Sequence, residues 1–291
     1  MRCSSRSVGL NLLRNGSNES KEFAAKPARP AGRDIFKQTP LISLKVKSIF
    51  SSVILHGVGI LDFIFPKFCI NCKKLGSYVC DGCFSYLNFD AFGICVVCNR
   101  QAIGGITHKR CMTRYAIDGV FTGMEYKGAV KKLVYQFKYD PYISDLKNLL
   151  TDFLYESLIQ KEEFVRAIEQ LSNEAIVLVP IPLHPTRLRI RGYNQAEILA
   201  KELSKKLNIS FVNVLQRVKN TRSQVTLKRE ERIKNIAGAF SIIPNLPDLP
   251  NTPNIFLVDD VLTTGATLNE AANVLKRNGA KKVWGIALAR D

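Results

Sequence analysis

The 291-residue sequence contains no run of 18 or more apolar residues, so no segment has the composition of a membrane-spanning helix. The nearest candidate, Val53–Phe65 (VILHGVGILDFIF), is short and carries His56 and Asp62. Residues 51–66 are therefore read as a packed or interfacial amphipathic segment. The first 34 residues lack the apolar core of a secretory leader and are rich in Ser, Arg, Asn, Ala and Pro. Glu19, Glu22 and Asp34 count against a transit peptide. Residues 1–50 are expected to be a disordered basic extension, or to follow from a start codon assigned too early. Outside residues 69–111 cysteine is nearly absent, Cys3 standing alone. With no leader and no scattered cysteines, a secreted disulfide framework is disfavoured and a cytoplasmic protein is expected.

Acidic residues are also scarce: 25 Asp/Glu face 42 Lys/Arg, a formal charge of +17. The excess is localised. Residues 1–50 hold 10 basic and 3 acidic residues, and residues 182–235 hold 13 and 4, while the remainder is nearly balanced. Such concentrations suit polyanions, whether nucleic acid, membrane headgroups or a pyrophosphate, although a solvated surface explains any single charge as well.

The other seven cysteines are spaced Cys69-x-x-Cys72, Cys80-x-x-Cys83, Cys95-x-x-Cys98 and, with a histidine, His108-x-x-Cys111. Two-residue gaps let both donors of a knuckle face one metal. Four knuckles supply two tetrahedral zinc sites, one of four cysteines and one of three cysteines and a histidine. A sequential pairing, with Cys69, Cys72, Cys80 and Cys83 on one ion and Cys95, Cys98, His108 and Cys111 on the other, is preferred over an interleaved cross-brace. Filled four-ligand sites are structural. At roughly 10–16 kcal/mol per site they replace the core that a short module (67–112) lacks.

From residue 113 onward, strand and helix patterns alternate, which argues for a mostly parallel α/β sheet. Strands are expected at Ala116–Tyr126, Ala175–Val179, Ser210–Val214, from Gly238, at Ile255–Val258 and at Lys282–Leu288. Helices are expected at Gly128–Lys138, Tyr142–Leu158, Gln195–Leu207 and Lys228–Asn235, and after Gly265. Leu183–Asn194 and Asn220–Thr226 read as loops, and Ile243–Asn254 as a Pro/Asn linker.

Two stretches carry chemistry. In Ile255–Thr267 (IFLVDDVLTTGAT) a buried strand ends in Asp259 and Asp260, then Thr263, Thr264, Gly265, Ala266 and Thr267 lead into a helix. Gly265 allows close backbone approach, the threonines offer hydroxyls, and the helix start supplies N–H groups for a phosphate. Two carboxylates beside it suit a vicinal diol, so the pair of features describes a ribose-phosphate site. In residues 180–197 (PIPLHPTRLRIRGYNQAE), Arg187, Arg189 and Arg191 crowd beside Gly192, and arginine forks match phosphate oxygens.

VDDVLTTGAT resembles the phosphoribosyl pyrophosphate signature of type I phosphoribosyltransferases. The resemblance implies that Asp259 and Asp260 hold the ribose, that residues 263–267 cradle the 5′-phosphate, and that Arg187, Arg191 and Gly192 form the pyrophosphate loop. It also implies bound Mg²⁺ and a flexible loop within residues 217–240 that closes over the substrate. The order of knuckles, YKGAVKKLVYQFKY, RGYNQ, SQVTLKREERIKNIAGAF and VDDVLTTGAT is similar to the ComF competence-protein family over roughly residues 62–290. His108 departs from an expected cysteine, and residues 1–50 are an unusual extension. The expected fold is thus a type I phosphoribosyltransferase-like sheet with an N-terminal double zinc ribbon. Three roles follow: an accessory protein of DNA uptake that binds phosphoribosyl pyrophosphate and meets single-stranded DNA and a competence helicase; a phosphoribosyltransferase with an unknown acceptor; and a salvage or amidophosphoribosyltransferase-like enzyme.

Overall fold

The computed structural model describes residues 66–89, 92–139, 144–171, 174–221, 229–244 and 253–291. The expected extension (1–50), most of the amphipathic segment, residues 222–228 of the expected closing loop and 245–252 of the linker lie outside these. Among the described residues no helix is long and apolar enough to cross a membrane.

Five strands form one parallel sheet: β1 (Gly119–Glu125), β2 (Ile176–Pro180), β3 (Ser210–Phe211), β6 (Asn254–Leu262) and β7 (Lys282–Arg290), in the order β1-β7-β6-β2-β3. A separate antiparallel pair joins β4 (Leu215–Arg217) to β5 (Phe240–Ile242). The helices are α1 (Asp81–Phe84), α2 (Gly128–Tyr139), α3 (Ser144–Ile159), α4 (Glu162–Gln170), α5 (Pro185–Arg191), α6 (Gln195–Leu207), α7 (Arg229–Ile236) and α8 (Ala266–Arg277).

The central strands read as continuous apolar runs because both faces are covered. Leu178, Phe256, Val258, Ile286 and Leu288 face α2, α3, α4 and α6. Val177, Val179, Ile255, Leu257 and Val283 face α8 and the β4–β5 pair. Helix α2 buries Val130, Leu133, Val134 and Phe137, the i, i+3, i+4, i+7 stripe its sequence announces.

This layering positions the site. Of the two helices between β2 and β3, α6 lies on one face, and the helix after β6, α8, lies on the other. β2 and β6 are neighbours, so their carboxyl ends flank a topological switch point, where open parallel sheets bind ligands.

The structure departs from the sequence pattern at several elements and boundaries. Helix α4 is short, but Phe164 meets Phe121 edge-on at 5.2 Å and Phe256 at 5.9 Å. The strand at Ser210 stops after two residues, and β4 follows as a separate piece. The expected arginine loop is the helix α5, started by Pro185 and by His184, whose Nδ1 accepts from the Thr186 amide at 3.3 Å; it stops at Gly192 with φ +81°. β6 does not end at the acids but runs on to Leu262, paired with β7 throughout.

The cysteine-rich segment precedes β1 and packs on both sides of the sheet. Cys69, Ile70, Val79 and Cys83 join the α2–α3 face, whereas Val96 joins the α8 face. Between these, Thr107 N–H donates to Asp118 O at 2.9 Å, and Asn88 O accepts from Glu125 N–H at 2.8 Å. Lys276 of α8 is nearly buried, reaching Asp118 at 2.7 Å and the Ala116 carbonyl at 2.6 Å, while Asp118 also accepts from Val283 N–H at 2.8 Å.

Candidate functional site

The eight predicted metal ligands fall into two groups. Cys69, Cys72, Cys80 and Cys83 form one, and Cys95, Cys98, His108 and Cys111 the other, with the donor atoms of each group within 4.8 Å of one another. The grouping is sequential rather than interleaved. Either group could hold a metal. Four sulfurs in one, and three sulfurs with one imidazole nitrogen in the other, suit tetrahedral zinc at this spacing. The His108 ring is oriented for ligation. Its Nε2–H donates to Gln101 O at 2.9 Å, leaving Nδ1 free to face Cys98 Sγ at 3.3 Å. In the first group, Lys132 of α2 donates to Asn71 Oδ1 at 3.0 Å, and Asn71 Nδ2 donates to Cys83 Sγ at 3.4 Å. Burial works against ionisation of Cys69, yet the backbone N–H groups of the knuckle outweigh it and hold the thiol down at about 6.

The two acids sit near the carboxyl end of β6. Because β6 continues through them, their side chains leave the strand on opposite faces. Asp260 reaches Lys138, the last basic residue of α2, at 2.9 Å, in a pair only 22% and 15% exposed. Asp259 turns toward Arg217 on β4 and accepts from the Asp260 amide at 2.8 Å. Burial first, and the like charge of Asp260 second, push the Asp259 carboxyl up to about 7, against the pull of Lys138 and Arg217. Burial also disfavours the charged Lys138, but attraction to Asp260 and Asp259 more than offsets it and raises its pKa.

Neither Lys138 nor Arg217 stands out in the sequence. Lys138 lies 121 positions before Asp259 and looks like one more cation on a helix. Its placement comes from the RGYNQ stretch, which does more than the phosphate reading allowed. Tyr193 donates its hydroxyl to the Phe137 carbonyl, Gln195 donates to the Lys138 carbonyl at 3.4 Å, and Arg191 donates to Gln195 Oε1 at 2.7 Å. These groups satisfy carbonyls at the end of α2 that the helix leaves unpaired. Asn194 caps α6 by accepting from Ala196 N–H at 3.2 Å and donates to Ile181 O at 3.0 Å, tying the stretch to the end of β2.

Arg187 and Arg217 converge on Thr221: Arg187 donates to its carbonyl and Arg217 to its hydroxyl. Arg217 is 7% exposed, and its Nε has no hydrogen-bond partner among the described residues. Burial, reinforced by the charge of Arg187, lowers its pKa to about 10. Two guanidiniums sharing one neutral residue beside two carboxylates form a site of mixed charge. Arg191 lies instead over the ring of Tyr139, 5.2 Å from its centroid, with Tyr135 4.8 Å beyond, both rings mostly exposed.

The loop from Thr263 to Gly265 links β6 to α8. Gly265 caps the helix with φ +72°, and Thr264 Oγ1 accepts from the Ala266 amide at 3.4 Å. The sequence alone suggests that Gly265 serves to let a phosphate come close. The structure gives it a second role: Val96 Cβ lies 2.5 Å from where a side chain at 265 would begin, so a knuckle residue fills that space.

Comparison with known proteins places these features. Residues 192–291, from the end of α5 through β7, match the phosphoribosyl transferase domain. Competence protein F of Haemophilus influenzae is 41% identical over 115 residues, 38% of this chain and 50% of that protein, so the chain matches half the length of that relative. The DNA utilization protein YhgH of Escherichia coli is 28% identical over 229 residues, covering 73% of this chain and 96% of the relative. Competence protein ComFC of Streptococcus pneumoniae is 26% identical over 218 residues, 75% and 83% of the two chains. The chain therefore has a phosphoribosyltransferase-like fold and is similar to competence protein F, competence protein ComFC and the DNA utilization protein YhgH.

Proposed function

We propose that the chain binds phosphoribosyl pyrophosphate at the carboxyl end of β6 and acts in the cytoplasm in the handling of single-stranded DNA during uptake. The observation that carries the first half is the charge arrangement at the switch point. Arg187 and Arg217 share Thr221 and Arg217 lies near Asp259, with Arg217 Nε unpaired among the described residues, an arrangement that calls for an anion. Asp259 and Asp260 hold the ribose hydroxyls, and Thr263, Thr264, Gly265, Ala266 and Thr267 receive the 5′-phosphate at the start of α8. Arg187 and Arg191, with Gly192, take the pyrophosphate. Lys138 neutralises Asp260, so that the two carboxylates repel the incoming phosphates less. Mg²⁺, which favours oxygen ligands and keeps its waters, would offset the charge of the pyrophosphate when bound. Zinc in the two cysteine groups is structural.

The DNA half draws on the names of the relatives and on one surface. Tyr135 and Tyr139 form an exposed cluster of two tilted rings beside the site, with the half-buried Arg191 guanidinium over Tyr139. Bases of any identity stack on such a platform. A competence helicase is the expected protein partner.

The test is calorimetric titration with phosphoribosyl pyrophosphate and Mg²⁺ of the wild type and of the Asp259→Asn/Asp260→Asn variant. Binding by the wild type and its loss in the variant are expected; equal affinity would remove the assignment. For DNA, log K should fall with log salt by about 0.7 per phosphate contacted on a single strand. Tyr139→Ala should weaken binding by roughly 1–3 kcal/mol. A flat salt dependence would end the DNA reading.

A further inference from the structure

The Cys95–Cys98 knuckle touches the Thr263–Thr267 loop through its own backbone. Val96 and Val97 lie between the ligands Cys95 and Cys98. Val96 fills the space over Gly265. Arg229, the first residue of α7, donates through Nη2 to Val97 O at 2.9 Å and to Val96 O at 3.2 Å, and through Nη1 to Thr264 O at 3.2 Å. One planar guanidinium thus fastens two knuckle carbonyls and one loop carbonyl, a three-point junction that its fixed fork geometry allows and a lysine cannot reproduce. The first knuckle sits on the opposite face of the sheet, fastened to α2 through Asn71 and Lys132.

We propose that Arg229 is a positioning residue that sets the conformation of the Thr263–Thr267 loop by locking it to the Cys95–Cys98 knuckle, so that loop order depends on metal at Cys95, Cys98, His108 and Cys111 and not at the first group. The consequence for ligand affinity rests on the phosphoribosyl pyrophosphate reading; the loop conformation itself does not. A knuckle that holds its ion keeps the Val96 and Val97 carbonyls fixed, and Arg229 transmits that fixed position to Thr264. Without the ion the carbonyls move, and the same three bonds draw the loop with them.

The test is hydrogen exchange of the ligand-free full chain, comparing wild type, Arg229→Gln, Cys98→Ser, Cys72→Ser and the Arg229→Gln/Cys98→Ser double variant, with zinc content measured on each. Amides in residues 264–267 should exchange at least about fivefold faster in Arg229→Gln, which keeps its zinc, and in Cys98→Ser. The double variant should be no faster than the singles, because both act through one junction. Cys72→Ser should leave the loop unchanged. Unchanged exchange in Arg229→Gln, additive effects in the double variant, or an equal response to Cys72→Ser would each overturn the proposal. Titration of the same proteins with phosphoribosyl pyrophosphate and Mg²⁺ separates the two readings. A wild type that does not bind removes the proposed function and leaves the exchange result to decide on Arg229. A wild type that binds should lose affinity at least about fivefold in Arg229→Gln.

Discussion

Asp259 offers a prediction that runs in two directions at once. Its carboxyl titrates near 7 instead of its ordinary 3.8, chiefly through burial and then through Asp260. A ligand that needs Asp259 as a carboxylate must displace its proton below that pH. The linkage is one proton, so the apparent affinity for Mg²⁺ and phosphoribosyl pyrophosphate should fall by about tenfold between the plateau above pH 8 and pH 6. The ionised form is also a cost to the fold. Between 3.8 and about 7 the folded state holds the proton more tightly than the unfolded state, so stability from this group declines as pH rises through that window and stays low above it. A shift of about three pKa units corresponds to roughly 4 kcal/mol at most. Water at the strand end and the nearby cations relieve part of it, so Asp259→Asn should raise stability at pH 8 by roughly 1–2 kcal/mol. At pH 3 the two proteins should be nearly equal. Denaturant unfolding at pH 3, 5 and 8 measures the stability arm, and calorimetric titration between pH 6 and 8.5 measures the ligand arm. A variant less stable than wild type at pH 8, or a wild-type affinity that ignores pH, would refute the reasoning.

Two further outcomes follow from the structure. The buried pair of Lys276 and Asp118 is tied to Ala116 O and Val283 N–H, so Lys276→Met strands a carboxylate and should cost about 3–5 kcal/mol in denaturant unfolding, with Asp118→Asn in the same background recovering part of the loss. Pure protein should carry about two zinc ions per chain by metal analysis; Cys98→Ser should lose one and keep the other, since the two groups share no ligand.

Much of this molecule is legible in one dimension because its strongest signals are local. The knuckles announce their own ligands by two-residue gaps, and Asp259-Asp260 followed by a Thr-Gly loop names a strand, a turn and a helix in order. What stays hidden is what long-range packing decides. Lys138 and Arg217 acquire their roles only because α2 and β4 end beside β6, and nothing near either residue in sequence says so. The charge of the arginine segment suggests a loop, although Pro185 and Gly192 mark a short helix at both ends. Acids look like the end of a strand, whereas pairing with β7 carries β6 past Asp259 to Leu262. Helix α4 does carry a readable apolar stripe, Phe164, Ala167 and Ile168, but it spans only nine residues, and the aromatic contacts of Phe164 anchor it.

The contacts that Asn88, Ile106 and Thr107 make along β1 have a consequence for how the chain survives its own synthesis. β1 is an outer strand of a parallel sheet, and its free side would present a row of unpaired amides and carbonyls to any passing extended segment. The other outer strand, β3, is only two residues long and offers little to pair with. Asn88, Ile106 and Thr107 occupy the β1 side instead. The segment that shields this side is translated before the strand it shields. A chain that meets zinc late therefore emerges with an adhesive flank, and metal starvation should appear first as aggregates rather than as a fully soluble, inactive protein.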